Sequence, residues 1–223
     1  NISMEKHKVE QSCEQFVISG LTIIKNVITL EEEKFLIEKI YKESWNTDIR
    51  RRVQHYGFKF EYKYRKVAKN NLNKFPIWLI DLIKSLKNYI KDFEPDQCTI
   101  NEYTPGIGIA SHIDTHSSFE EPLVSLSLES PIVIQFTNKT LLDSPKINIF
   151  LPPRSLLIMR RDARYCYSHG IPGRKTDCTP EGIVIKRKRR VSLTFRKVRH
   201  IPCKCKWNNL CDSQDAILKK TRL

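Results

Sequence analysis

The chain has 223 residues, 40% of them hydrophobic, and 39 Lys and Arg stand against 25 Asp and Glu for a net charge of +14. That apolar share excludes a disordered chain, and the length suits one domain with at most a small appendage. No run approaches the roughly 18 consecutive apolar residues of a membrane span and no signal peptide opens the sequence, so no membrane partner is expected; the positive balance favours polyanions, nucleic acid first. Seven cysteines, an odd number, predict a reducing compartment: the cytoplasm, with the nucleus also open. The chain opens on Asn1 and has its first Met at position 4, which leaves open that it is a piece of a longer protein.

In chain order, residues 1–17 read as a flexible N-terminal extension, and residues 21–24 as a short strand. Thr29 followed by Glu32 is a capping-box signature, and Phe35, Leu36, Ile40 and Tyr41 continue it at helical spacing. Arg51, Arg52, Gln54, His55, Tyr56, Phe58, Tyr62 and Tyr64 interleave cations with aromatics, a pattern that suits phosphate contacts and base stacking; a twisted edge hairpin with a polar face is the structural alternative. Pro76 suits a first helical turn, and Ile77, Leu79, Leu82, Ile83, Leu86 and Ile90 carry a second helix to about Asp92. After Pro95 the texture changes to short apolar runs at 97–103, 123–128, 131–137, 147–151, 156–159, 165–169 and 191–198, separated by turn residues. Two helices followed by many short strands predict a mainly β chain with flanking helices, a double-stranded β-helix (jelly roll) and not a parallel sheet.

Within that frame, His112 and Asp114 sit two residues apart, so in extended backbone both reach one ion. A lone His-x-Asp is common. A distant His on a neighbouring strand, for which His169 is the best candidate, completes a two-His, one-carboxylate triad that leaves three positions open on Fe(II). A bidentate cosubstrate takes two and dioxygen the third. The segment 190–196 alternates: Arg190, Ser192, Thr194 and Arg196 share one face, and Val191, Leu193 and Phe195 the other. Two arginines flanking Ser and Thr suit a pocket for a dianion, because guanidinium grips carboxylate as a fork; an exposed basic edge strand is the alternative. Asn101 and Tyr103 supply a polar pair on an earlier strand. Cys203, Cys205 and Cys211 crowd into nine residues, whereas Cys13, Cys98, Cys166 and Cys178 are scattered and read as ordinary small residues.

Taken in this order, Asn-x-Tyr, His-x-Asp, a distant His and two arginines six apart resemble the AlkB family of Fe(II)- and 2-oxoglutarate-dependent nucleic-acid dioxygenases, over roughly residues 18–200. The stretches 111–117, 123–128, 195–199 and 211–214 are similar to the oxygenase domain of the animal AlkB homologue eight subfamily, tRNA wobble-uridine hydroxylases. The resemblance implies an oxygenase-type jelly roll, with iron on His112, Asp114 and His169 and 2-oxoglutarate on Asn101, Tyr103, Arg190 and Arg196. It also implies Zn(II) on His116, Cys203, Cys205 and Cys211, in a C-terminal tail, 201–223, packed on the oxygenase domain. Three clustered thiols lack a fourth ligand for tetrahedral zinc, and His116 is what the resemblance supplies.

The substrate implied is a modified wobble uridine, of 5-methoxycarbonylmethyluridine type, in the tRNA anticodon loop, contacted by Arg51, Arg52, His55, Tyr56 and Tyr62. Relatives of this kind carry fused RNA-recognition and methyltransferase domains; this sequence has neither an aromatic RNP signature nor a Gly-rich methyl-donor loop. Two alternatives stand beside this reading: an oxidative demethylase of N-alkylated DNA or RNA bases, and a non-enzymatic, zinc-stabilised RNA-binding module. A peptidyl hydroxylase fits the charge less well. The basic run 186–190 resembles a nuclear-localisation signal in composition alone.

Overall fold

Thr29 opens the first helix, α1 (Leu30–Lys42), as its sequence predicts. The Glu32 amide donates to the Thr29 hydroxyl at 3.1 Å and the Thr29 amide to the Glu32 carboxylate at 2.7 Å, closing the reciprocal box. Acidic residues in its first turn and Lys39 and Lys42 in its last complement the helix dipole. The second helix, α2 (Ile77–Leu86), differs from its predicted bounds at both ends. Pro76 is the extended N-cap and not a first-turn residue, and regular hydrogen bonding stops at Leu86, well before Asp92. Beyond it Asn88 and Tyr89 bond three residues back, to Ser85 and Leu86. The apolar spacing misleads there because Ile90 and Phe93 still reach the core from turns.

The computed structural model describes residues 13–15, 18–61 and 66–214, with side chains for 18–58 and 74–214. The strands are β1 (Cys13–Gln15), β2 (Leu21–Ile24), β3 (Val53–Glu61), β4 (Lys66–Asn73), β5 (Gln97–Tyr103), β6 (Ile109–His112), β7 (Leu123–Leu128), β8 (Ile132–Asn138), β9 (Ile147–Leu151), β10 (Ser155–Met159), β11 (Tyr167–Ile171), β12 (Thr176–Cys178), β13 (Val184–Lys186) and β14 (Arg190–Arg196). A short helix, α3 (Arg161–Tyr165), precedes β11, so the strand expected at 165–169 starts two residues later. An eight-stranded sheet runs β1-β2-β10-β7-β14-β5-β3-β4 and a four-stranded one runs β6-β11-β8-β9, both antiparallel. The mainly β, jelly-roll reading therefore holds.

Alternation along β14 decides where the two cores lie. Val191, Leu193 and Phe195 pack with Leu36, Leu79 and Leu82 beneath the helices. On the other face of the large sheet, Leu123, Leu157 and Met159 meet Ile134 and Phe136 of the small sheet. The polar face of β14 looks into the space between the sheets, where the site lies. No helix among the described residues is long and apolar enough to cross a membrane.

Candidate active site

His112 ends β6, and His169 stands opposite it on β11 in register, with ring centroids 4.6 Å apart. Asp114 follows in the loop after β6, and one ligand atom from each of the three lies within 4.8 Å of the others. The His112 Nδ1 lies 2.8 Å from the Ala110 carbonyl oxygen, a contact that makes Nδ1 the donor and leaves Nε2 as the free ligand atom. One carboxylate oxygen of Asp114 accepts from Arg196 Nε at 2.8 Å. The other is buried without a hydrogen-bond partner and faces His169 Nε2 at 3.5 Å. Burial opposes the charge on Asp114, but Arg196, the two imidazoles and Arg164 overcome it and hold the carboxyl below the usual range. Burial, then His112, push His169 down to about 3. It is therefore neutral, the form that binds metal, and its approach to Asp114 is two ligand atoms facing one point. A buried, unpartnered carboxylate oxygen costs free energy unless a cation meets it, so the donor set fits a divalent metal.

Beside the trio a cavity of about 990 Å³ is lined by Asn101, Tyr103, Arg190, Ser192, Thr194 and Arg196. Arg190 is only 2% exposed; its Nε donates to Ser127 Oγ at 2.9 Å, and its guanidinium lies 5.3 Å from the Tyr103 ring centroid. Burial pushes its pKa down to about 10, and no carboxylate among the described residues neutralises it. A desolvated guanidinium in that position suits an anionic ligand. Arg196 differs from the expected pairing: its Nε is taken by Asp114 and a terminal nitrogen donates to Gln97 at 3.2 Å. That bond sets Arg196 beside Asp114, whereas Arg190 lies with Ser127 and Tyr103. Asn101 accepts from Arg51 Nε at 3.0 Å, which brings that arginine to the rim.

Arg164, on α3, was not anticipated from sequence. It is 1% exposed and donates to the carbonyl oxygens of Asp114 (2.6 Å), Thr115 (3.2 Å) and Phe119 (2.9 Å). The segment 165–169 reads as a strand, and that hides the turn that aims this side chain inward. An arginine embedded between Ala163 and Tyr165 is the signal that was available.

The same loop carries a second cluster. His116, Cys203, Cys205 and Cys211 place one ligand atom each within 4.8 Å of one another, with His116 Nδ1 at 3.5 Å from Cys205 Sγ. Burial, then Arg164, push His116 down to about 4. Tyr165 meets His116 edge-on at 5.1 Å and stacks on Trp207 at 5.0 Å. Arg199 donates to the His116 carbonyl and the Ser117 amide to Asp212, so residues 201–214 dock on the loop bearing Asp114.

The basic and aromatic residues of β3 divide by sheet parity. Arg51 lines the cavity, and His55 approaches Thr99, a lining residue, at 3.3 Å. Arg52, Gln54 and Tyr56 point to the opposite face. Arg52 grips Glu102 with two bonds and lies over Trp45, Gln54 donates to the Ile40 carbonyl, and Tyr56 packs edge-on against Trp78. The geometry thus does not bring Arg52 or Tyr56 to the cavity. Gly57, at φ +72°, breaks the alternation: a Cβ there would meet the Asp96 carbonyl oxygen at 1.9 Å, and Phe58 turns back toward the inner core. Tyr62 and Tyr64 lie outside the described residues. The run 186–190 is part of the fold, with Arg187 buried on Asp177, the exposed Arg189 paired with Glu129 and Arg190 in the cavity.

Residues 20–196 match the 2OG-Fe(II) oxygenase superfamily. The chain belongs to that superfamily. It is therefore an oxidoreductase, a dioxygenase that uses Fe(II) and 2-oxoglutarate. Its similarity is to AlkB-type members. It is 38% identical over 242 residues to the tRNA (carboxymethyluridine(34)-5-O)-methyltransferase ALKBH8 of Macaca fascicularis, covering 95% of this chain and 35% of that one. It is 37% identical over 219 residues to the alkylated DNA repair protein ALKBH8 homolog of Arabidopsis thaliana, covering 88% and 63%. An uncharacterised protein, L905, of Acanthamoeba polyphaga mimivirus is 38% identical, with coverage of 81% and 86%. The chain spans about a third of the length of the macaque relative. The solved structure of OsALKBH1 superposes with a TM-score of 0.60 at 17% identity, covering 83% of this chain and all of that one, which supports the fold.

Proposed function

We propose that this oxygenase holds Fe(II) on His112, Asp114 and His169 and hydroxylates a modified wobble uridine, of 5-methoxycarbonylmethyluridine type, in the tRNA anticodon loop. The observation that carries the iron assignment is the buried Asp114, with one oxygen unpartnered, between the half-buried His112 and His169, opening on a cavity whose buried Arg190 lacks a carboxylate partner among the described residues. When bound, Fe(II) and 2-oxoglutarate supply oxygen activation: one oxygen atom enters a substrate C–H bond while the cosubstrate becomes succinate and CO₂.

The chain's own work is positioning. Arg190 and Tyr103 would hold a carboxylate of 2-oxoglutarate. Asn101, also in the cavity lining, would add a polar contact to it, and Arg196 fixes which oxygen of Asp114 stays available. A separate Zn(II) on His116, Cys203, Cys205 and Cys211 fastens a tail module, 201–223, to an oxygenase domain, 18–200. The uridine substrate is supported by the macaque relative, whose name specifies a tRNA carboxymethyluridine at position 34, and by the net charge of +14. An anticodon loop presents that base unpaired, so little unstacking energy is needed.

The test is nucleoside mass spectrometry of tRNA before and after treatment with iron-loaded protein, 2-oxoglutarate and air. Gain of one oxygen on the wobble nucleoside, with matching succinate, is expected. Full turnover by Asp114→Ala would overturn the iron assignment. The name of the Arabidopsis relative favours a second reading, repair of alkylated bases. Formaldehyde release from N-methylated oligonucleotides, with tRNA left unchanged, would establish it instead.

A further inference from the structure

A second cavity, of about 390 Å³, adjoins the first and shares Ile109, Ala110, Ser111, Gly170 and Ile171 with it. Its floor is the outward face of the small sheet. Gln135 and Thr137 of β8 flank Phe136, which turns into the core, and Gly170 and Ser111 lie next to the inward-facing His169 and His112. The floor is kept low by glycine: a Cβ on Gly170 would come within 2.8 Å of the Ser111 backbone, and one on Gly108 within 2.1 Å of the Ile171 carbonyl oxygen.

The charge of this groove is one-sided. Among the described residues no acidic side chain lines it, whereas Arg50 and Lys146 do, and both are exposed. Among the described residues neither has a carboxylate partner, although Lys42, Lys87, Lys197 and Arg189 elsewhere on the surface each have one. Lys139, exposed and likewise without a carboxylate partner, extends the line to the mouth of the main cavity. Unneutralised cations over a low, uncharged floor, with Gln135, Thr137 and Ser111 beside Ile107, Ile109 and Ile171, suit a ligand whose charge repeats along a chain. The glycines present no side chain to a base, and the two cations suit phosphate contacts that position a strand.

We propose that this groove holds the sugar–phosphate backbone next to the nucleotide whose base enters the main cavity. The inference rests on the RNA reading above. Residues 109–111 line both cavities, so a strand whose base enters the main cavity over that rim would continue along the groove on its other side.

The experiment is the affinity of the full chain for an unmodified anticodon stem-loop RNA, followed by fluorescence anisotropy over a range of salt concentrations. It compares the native protein with Arg50→Ala, Lys146→Ala, the double variant, and Lys188→Ala, an exposed cation that lines neither cavity. Thermal melting checks that each variant folds. Each groove substitution is expected to weaken binding roughly five-fold near 0.1 M salt and to lower the log–log salt slope by about 0.7, while Lys188→Ala changes neither. A native protein with no affinity for the RNA overturns the RNA reading and this inference together. Tight binding whose slope is unchanged in the double variant, or falls as much in Lys188→Ala, overturns the groove alone. A poly-glutamate peptide that binds as tightly as the RNA, with the same loss in the double variant, assigns the groove to acidic protein instead.

Discussion

Two arginines carry opposite burdens at the site. Arg190 is buried with a hydroxyl and an aromatic ring for company and, among the described residues, no counter-charge, so its desolvation is offset only when an anion arrives. Arg190→Lys replaces a forked donor by a point charge. It is expected to raise the KM for 2-oxoglutarate by at least about thirty-fold, the lower end of the 2–5 kcal/mol lost on breaking a buried charge pair. Steady-state kinetics at saturating iron check this, and an unchanged KM would remove Arg190 from the cosubstrate site. Arg164 never reaches the cavity; it ties three carbonyl oxygens of the loop that carries both Asp114 and His116. Hydrogen bonds to a charged donor contribute about 1.5–3 kcal/mol each. Arg164→Leu should therefore lose several kcal/mol in chemical denaturation. The milder Arg164→Lys, which keeps the charge but not the fork, should weaken Fe(II) binding more than it lowers stability. Equal iron affinity in a folded Arg164→Lys protein would reduce the residue to a purely structural role.

The hairpin of β12 and β13 shows how an element is held to its neighbour by charge. Asp177 accepts from Arg187 through both oxygens and from Arg174, and also from the Val133 amide of β8. Asp177 and Arg187 are 0% and 2% exposed at their side chains. Asp177→Asn strands a buried guanidinium and is expected to destabilise the fold by about 3–5 kcal/mol, whereas Asp177→Leu with Arg187→Met should recover much of that loss. Burial opposes the Asp177 charge, but bonds from Arg187 and Arg174 outweigh it and hold the carboxyl below 3.8. Its contribution is thus full above that pH and is lost as pH falls below it. Urea titrations of native protein and Asp177→Asn should converge only in that acid range, and a gap that persisted there would mean the ion pair is not its source. This device was not legible in sequence, because its partners come together only after β8 and the hairpin pack. The capping box of α1 and the bounds of β5, β7 and β9 were legible, because a local pattern specifies them. β6, reading Ile-Ala-Ser-His, has no alternation to detect and becomes a strand only by pairing with β11. The bond from Arg196 to Asp114 spans 82 positions and has no local signature, so both arginines look alike until the sheet is formed. Likewise the residues 51–58 read as one basic and aromatic surface, and strand alternation then sends Arg52 and Tyr56 to the far side.

At the scale of the whole molecule the two candidate metal clusters share one short loop, with Asp114 on one side of Thr115 and His116 on the other. The tail from 201 to 214 adds little apolar surface of its own: its buried members are Cys203 and Cys211, with Trp207 leaning on Tyr165. On the proposed zinc reading, a segment so poor in hydrophobic residues is held mainly by ligation, as small zinc modules are. Removing zinc with a strong chelator should therefore release the tail as a unit. Amide exchange is expected to rise sharply at 203–214 and, through the lost ties of Asp212 to Ser117 and Arg199 to His116, at 114–119. The amides of β14 and β5, buried in the large sheet, should keep their protection. Trp207 emission should shift to the red as its stack on Tyr165 opens. Because Asp114 lies within the loosened loop, Fe(II) affinity should fall in parallel and return on adding zinc back. If the tail exchanges at the same rate with and without chelator, the four residues hold no structural metal, and packing alone keeps the tail in place.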